Sequence, residues 1–328
     1  MKISKTKAMV CAALVATVLT GCSNDEDIAI GNNYPKDNVV RVMPSVGEAQ
    51  TRSYTTETLN EFYLDILNPA NSNYSYQYSV FNKYADGWKS NSTKPLLWQN
   101  ATQQVTVTAC TQLKDYNSVN PENICNMTDA RVIIWPDQYI KSYYEMSDFL
   151  WFKDDQFIPN NKLVDGKLPI SFQHGFSLLE VKVEFGTEYN ISELLTASPI
   201  TKLVVPDMPC NASIDFTQSS VKVSVAADAD RKAISAWHGT FTAAADKNTN
   251  AIDRWSCILI PQTIAAGSFK VNILAGDATY AWTSTKEITL ESGKKYQLKL
   301  TLGKDAIIVG QMTMNAWETG ESGDLETE

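Results

Sequence analysis

The sequence predicts an all-β protein built as two tandem β-sandwiches with Greek-key-type connections. Three observations lead there: strict period-two alternation, turn signals between short runs, and a length suited to two domains. In "LLEVKVEF", Leu179, Val181, Val183 and Phe185 share one face, while Glu180, Lys182 and Glu184 share the other. Such a pattern describes strands with one face on a core and one in water. The same grammar recurs in "SFKVNIL" through Phe269, Val271 and Ile273, and in "KYQLKLTL" through Tyr296, Leu298, Leu300 and Leu302. Asp86-Gly87, Asp165-Gly166, His174-Gly175, Gly276-Asp277 and Ser292-Gly293 separate the runs as turns. Short alternating strands so punctuated indicate sandwiches. Helical pattern is sparse. "EYNISELLTAS", Glu188 to Ser198, predicts a short helix capped by Asn190, and the domain boundary is placed there. Residues 39–186 then form the first domain and residues 187–328 the second.

The start of the chain reads as an export signal. Lys2, Lys5 and Lys7 precede an uncharged run from Ala8 to Thr20, which is too short to span a bilayer, and then Gly21-Cys22. "LTGC" resembles a bacterial lipobox, so residues 1–21 are expected to be removed and Cys22 to carry the lipid. Residues 22–38, with the acidic stretch "SNDEDIAIGNN", read as a disordered tether. Its acidic run resembles the export signal of surface-exposed lipoproteins in Bacteroidetes, which implies an outer-membrane location facing outward.

Removing the signal takes three of the 28 basic side chains, leaving 25 against 37 acidic ones and a net charge of −12. Such a surface repels phosphate backbones, which excludes nucleic acid as a partner class. Cys110, Cys125, Cys210 and Cys257 remain in the body without CxxC spacing. Cys110 with Cys125 and Cys210 with Cys257 are one pairing of three, and buried free thiols are the equal alternative.

Catalytic and metal chemistry has little to work with. The only histidines, His174 and His238, both read as turn neighbours, too few for a zinc site. No nucleophile elbow, P-loop or dinucleotide fingerprint occurs, and no cofactor is expected. The acidic pairs Asp154-Asp155 and Asp228 with Asp230 read as solvated loop faces rather than glycosidase carboxylates. Trp88, Trp98, Trp135 and Trp151 raise an alternative function, a sugar-stacking platform on a surface glycan-binding lipoprotein.

Several stretches together resemble the fimbrillin superfamily of Bacteroidetes, the subunits of type V pili. They are "KPLLWQNATQQVTVTACT" with Trp98 before a strand, "SDFLWFKDD", and "LPISFQHGFSLLEVKVEF" with an F-x-H turn before a long strand. "CILIPQTIAAGSFKVNIL", "ITLESGKKYQLKLTL" with its L-x-x-G-x-x-Y-x-L spacing, and the closing "MTMNAWETG" follow. Their order along the chain carries the resemblance. The polar insert from Leu113 to Arg131 and Cys110 at a strand end depart from it.

The resemblance implies transthyretin-like sandwiches and assembly by strand replacement. A trypsin-like protease cuts behind the first strand of a lipoprotein precursor, that strand leaves, and a neighbouring pilin subunit fills the groove. Here residues 39–52 would be the removable strand and loop, with Val39, Val40, Arg41, Val42 and Met43 in the strand and the cut after Arg52. The candidate donor is the tail, with Ile308, Gly310, Met312 and Met314 on one face. An ordinary last strand is the other reading of that tail. Expected partners are therefore other pilin subunits, the protease, the outer membrane through lipid, and a host or bacterial surface ligand.

Overall fold

The computed structural model describes residues 33–47, 54–113, 123–190, 193–304, 307–316 and 322–323. In chain order the first half contains β1 (Val42–Val46), β2 (Glu61–Leu67), β3 (Tyr76–Tyr84), β4 (Gly87–Ser90), β5 (Val105–Cys110), β6 (Ala130–Ile133), β7 (Leu150–Phe157), β8 (Leu168–His174) and β9 (Ser177–Phe185). The second half contains β10 (Ile200–Pro209), β11 (Asn211–Asp215), β12 (Lys222–Val225), β13 (Arg231–Ser235), β14 (Trp237–Thr242), β15 (Ile252–Leu259), β16 (Gln262–Ile264), β17 (Lys270–Ala275), β18 (Ala278–Thr283), β19 (Ile288–Leu290), β20 (Lys294–Leu302), β21 (Ile307–Ala316) and β22 (Ser322–Gly323). Two short helices, α1 (Lys141–Met146) and α2 (Pro159–Lys162), sit in connections.

Strands dominate, as the alternation requires. A seven-stranded sheet runs β1-β8-β7-β5-β2-β3-β4, which makes β1 and β4 its two edges. A six-stranded sheet runs β14-β15-β9-β20-β21-β22, a four-stranded one β13-β10-β17-β18, and a three-stranded one β12-β11-β6. The predicted inward faces are buried. Leu179, Val181, Val183, Phe269, Val271, Ile273, Leu298 and Leu302 are each fully sequestered. The Asp165-Gly166 turn adopts φ of 49° and 71°, the left-handed pair that a two-residue hairpin turn demands.

Two apolar cores organise these sheets. Val40, Phe62, Leu64, Trp98, Phe157 and Phe172 belong to the first, and Phe176, Val181, Val205, Phe216, Ile258 and Leu298 to the second. Strand β5 serves both, because Val107 and Ala109 enter the first core while Cys110 enters the second. The two cores interleave along the chain: Phe172 is the last residue of the first, yet Ile124, Val132, Tyr144, Phe149 and Trp151 ahead of it already belong to the second. β9 pairs antiparallel with β15 and parallel with β20, and β6 pairs with β11, so both strands sit in second-half sheets. Alternation reports that a residue is buried and is silent on which sheet buries it. Of the expected helix over residues 188–198, the described residues form a 3-10 turn, Thr187–Asn190, and no α-helix. Asn190 is buried there, its side chain accepting from Leu195 N–H at 3.0 Å and donating to Thr249 C=O at 2.9 Å. It ties two loops instead of capping a helix.

The second face of the seven-stranded sheet carries a buried carboxylate. Asp65 is 1% exposed and accepts the N–H groups of Tyr78 and Ile124, each at 2.6 Å. Burial pushes its pKa up to about 7, against the downward pull of the two hydrogen bonds.

Candidate functional site

The strand expected over residues 39–44 is present, displaced toward the C-terminus. Val42–Val46 form β1, paired in parallel with β8 from Val42 opposite Leu168 to Val46 opposite Phe172. Val39 makes an isolated antiparallel bridge to Leu97, and Val40 N–H donates to Leu96 C=O at 2.8 Å. Alternation then fixes the two faces. Val40, Val42 and Val46 are each about 5–6% exposed and pack into the first core, while Met43 is 40% exposed. Arg41 points outward, bidentate on Asp37 at 2.9 and 2.5 Å.

The backbone of β1 is satisfied on one side only along its middle. Leu168 N–H donates to Arg41 C=O at 2.7 Å, so the odd-numbered residues address β8. Val40 N–H and Val46 N–H address the opposite side, toward Leu96 C=O and the Thr56 hydroxyl at 3.0 Å. Pro44 therefore has its missing donor on the outer edge, where it costs no ladder bond and denies an approaching strand one.

That outer edge faces a groove of about 660 Å³. Residues Val39 to Pro44, the lead-in and first half of β1, supply one wall; the edge strand β4 and the segment Ser92–Leu96 supply the other, with Phe81 and Lys167 completing it. The two edges of a single sheet thus line one cleft, the signature of a sheet curled toward a barrel and left unclosed.

The chain behind β1 is tied at both ends of its loop. Thr56 Oγ1 accepts from Val46 N–H at 3.0 Å and donates to Val46 C=O at 3.3 Å. Tyr54 N–H donates to Asp148 Oδ2 at 3.2 Å, and Asp148 Oδ1 lies 2.9 Å from His174 Nδ1, both of those side chains fully buried. Burial, with Asp148, Glu145 and Glu61 nearby, pushes the Tyr54 hydroxyl up to about 12. His174 thus ends β8 beside the turn into β9, as expected, and its buried ring is satisfied by Asp148, a partner that no local pattern signals. Cys22 and Arg52, the expected lipid and cleavage residues, lie outside the described residues.

The candidate donor residues Ile308, Gly310, Met312 and Met314 all fall in β21, which pairs antiparallel along the length of β20. Gly310 stands opposite Leu300, Met312 opposite Leu298 and Met314 opposite Tyr296; Ile308 falls at a register irregularity. Met312 is buried in the second core. Trp317, the tryptophan of the closing motif, lies outside the described residues.

The other candidates resolve into structural roles. All four body cysteines are buried free thiols, and burial raises the pKa of each. His238 lies in β14, not a turn, with Nε2 2.7 Å from the buried Asp253 and its ring over Trp255. Asp154 and Asp155 belong to β7 rather than a loop and pair with Lys162 and Lys153, while Asp228 pairs with Arg131. The four tryptophans do not assemble one platform. Trp98 stacks on Phe157 inside the first core, Trp151 is buried in the second, Trp88 leans on Phe62 and Trp135 stacks on Tyr143. Among the described residues no cluster of histidine, cysteine and carboxylate side chains could hold a metal ion, and no helix is long and apolar enough to cross a membrane.

Comparison with known proteins agrees with this architecture. The solved structure of a putative cell adhesion protein from Bacteroides uniformis ATCC 8492 superposes with a TM-score of 0.57 at 12% identity, covering 86% of this chain and 100% of that one. A putative cell adhesion protein from Bacteroides ovatus ATCC 8483 gives 0.57 at 12% identity over 86% and 99%. A fimbrial protein from Bacteroides vulgatus ATCC 8482 gives 0.52 at 16% identity over 84% and 99%. At such identities the likeness establishes the fold. No curated protein matches the sequence. The model of the fimbrillin-like family matches residues 47–317, most of the chain, starting at the residue after β1. This protein therefore belongs to the fimbrillin-like family, a structural and not a catalytic assignment.

Proposed function

We propose that this chain is a subunit of a cell-surface fimbria, exported as an outer-membrane lipoprotein through Cys22 and supporting adhesion. In this reading a trypsin-like protease cuts after Arg52, residues 39–52 leave, and a strand from a neighbouring subunit takes the place of β1. The observation that carries it is the seat of β1 at the edge of the seven-stranded sheet, held by one parallel ladder and a short bridge from Val39 and Val40 to Leu96 and Leu97, while three valines plug the first core. An edge strand can leave without parting two others. Burial of each valine is worth roughly 1.5–3 kcal/mol, so an emptied seat exposes apolar surface and an unpaired β8 edge that a second strand relieves. The family match begins where β1 ends, in keeping with a body that stands without it.

Limited tryptic digestion of the folded chain tests the proposal. Selective cutting after Arg52, followed by loss of the β1 fragment and detergent-resistant multimers, is the expected result. A cut protein that keeps β1 and stays monomeric overturns it. The glycan-binding alternative loses its main support with Trp98 and Trp151 inside the cores.

A further inference from the structure

The groove beside β1 differs in charge from the rest of the protein. Its walls carry Arg41, Lys89, Lys94 and Lys167 against the single carboxylate of Asp86. Asp86 is taken up by Lys89 at 2.6 Å, and Arg41 is paired with Asp37. Among the described residues Lys94 and Lys167 make no ion pair, and both are exposed. A cleft with this excess of cations, on a chain that carries 12 net negative charges over residues 22–328, is a local inversion of the overall charge balance. Strands β1 and β4 also turn their outer edges to it, so an extended segment entering it meets backbone donors and acceptors as well as cations.

We propose that this groove, with β1 still in place, receives the acidic tail of a second copy of this chain. Residues 317–328, "WETGESGDLETE", carry five carboxylates and no cation. The tail follows β21, whose end, Ala316, pairs with Lys294. The N–H of the adjacent Gly293 bonds Phe176 C=O, just past the His174 end of β8, whereas the groove lies at the Leu168 end of that strand. Seven residues of strand put the two ends about 20 Å apart, so the last residue of β21 stands at a distance from its own groove. The two-residue ladder of β22 on β21 is the only pairing described for the tail, and so short a strand releases at little cost. The contact needs no proteolysis, so it stands independently of strand replacement and would bring intact subunits together.

The test uses the uncut full chain and a fluorescein-labelled peptide of residues 317–328, followed by anisotropy at low and physiological salt. Saturable binding that weakens at least fivefold with added salt is expected. The Lys94→Glu, Lys167→Glu double variant, with its melting temperature checked against the parent, should bind at least tenfold more weakly. A peptide with all five carboxylates changed to amides should not bind. Absence of binding to the parent chain, or equal binding to the double variant, overturns the proposal. Deleting residues 317–328 from the chain tests for self-occupancy, and a tenfold gain in peptide affinity on deletion overturns the contact between copies. Displacement of nothing by the peptide while a sulfated polysaccharide binds the same lysines overturns it in favour of an anionic glycan.

Discussion

The first and last strands of the body are both β-segments near the chain ends, yet they are held very differently. β1 has five residues, runs parallel to β8, and keeps a proline on its open side. β21 has ten residues, runs antiparallel to β20, and carries β22 on its outer side. Parallel pairing is slightly weaker per residue than antiparallel pairing, and half the length leaves fewer bonds to break. The apolar content of β1 and its lead-in is nevertheless high, with Val42 and Val46 buried in the strand and Val40 buried just ahead of it. A short ladder with strong side-chain plugs makes a seat that is worth filling and an occupant that is easy to detach. The long ladder of β21 makes it part of its own sheet, so its donation to a neighbour would first have to undo its pairing with β20.

The comparison can be broken most directly at the plugs. Val42→Asp puts an unpaired carboxylate into the first core, and a loss of about 3 kcal/mol or more is expected in denaturant unfolding of the uncut chain. Met43→Asp, one residue on and facing outward, should stay within about 0.5 kcal/mol. Equal effects at the two positions would remove β1 from the core and with it the contrast between the strands.

A second measurement sharpens the comparison by separating the halves through pH. Asp65 belongs to the sheet that β1 edges, and its pKa is raised from 3.8 to about 7 chiefly by burial. Between those two values the folded state holds a proton that the unfolded state has lost. Stability is therefore fully present below about pH 4 and falls as pH rises toward 7, by roughly 2–4 kcal/mol for this group. Asp65→Asn should flatten that dependence, and an unchanged slope in the variant would place the titration elsewhere.

On the side of β21, Met312→Ala should cost about 2–3 kcal/mol, the usual toll of truncating a buried methionine. It should leave release of β1 after cleavage unchanged, since Met312 lies in the second core. The smallest effect is expected at the tie behind β1. Thr56→Val removes the hydroxyl that meets both Val46 N–H and Val46 C=O, a loss of about 1 kcal/mol, and should speed loss of the cut fragment several-fold. Unchanged release would show that the β8 ladder alone retains the strand.

Much of this was legible in the residue order. Alternation named the buried faces of β9, β17 and β20, because a period of two states which side chains leave the water. Glycine and aspartate marked hairpin turns, because few other residues adopt their backbone angles. The edge strand was recognisable as a strand, though its pairing began at Val42 and not at Val39. The ladder's start depends on where β8 begins, some 125 residues away in sequence. The Asp148–His174 pair, the Asp65 carboxylate and the His238–Asp253 contact left no local trace either, since each joins residues 13 to 59 positions apart.

The sequence by itself determined the class of structure, the inward faces, the turns and the family, since these rest on side-chain chemistry at short range. Only the tertiary structure decided that β1 lies on an edge, that β9 serves the second core, and that both edges of one sheet meet across a basic groove. Those outcomes depend on which strands pair, and pairing is chosen by the fit of whole faces brought together from distant parts of the chain, a quantity that no single segment carries.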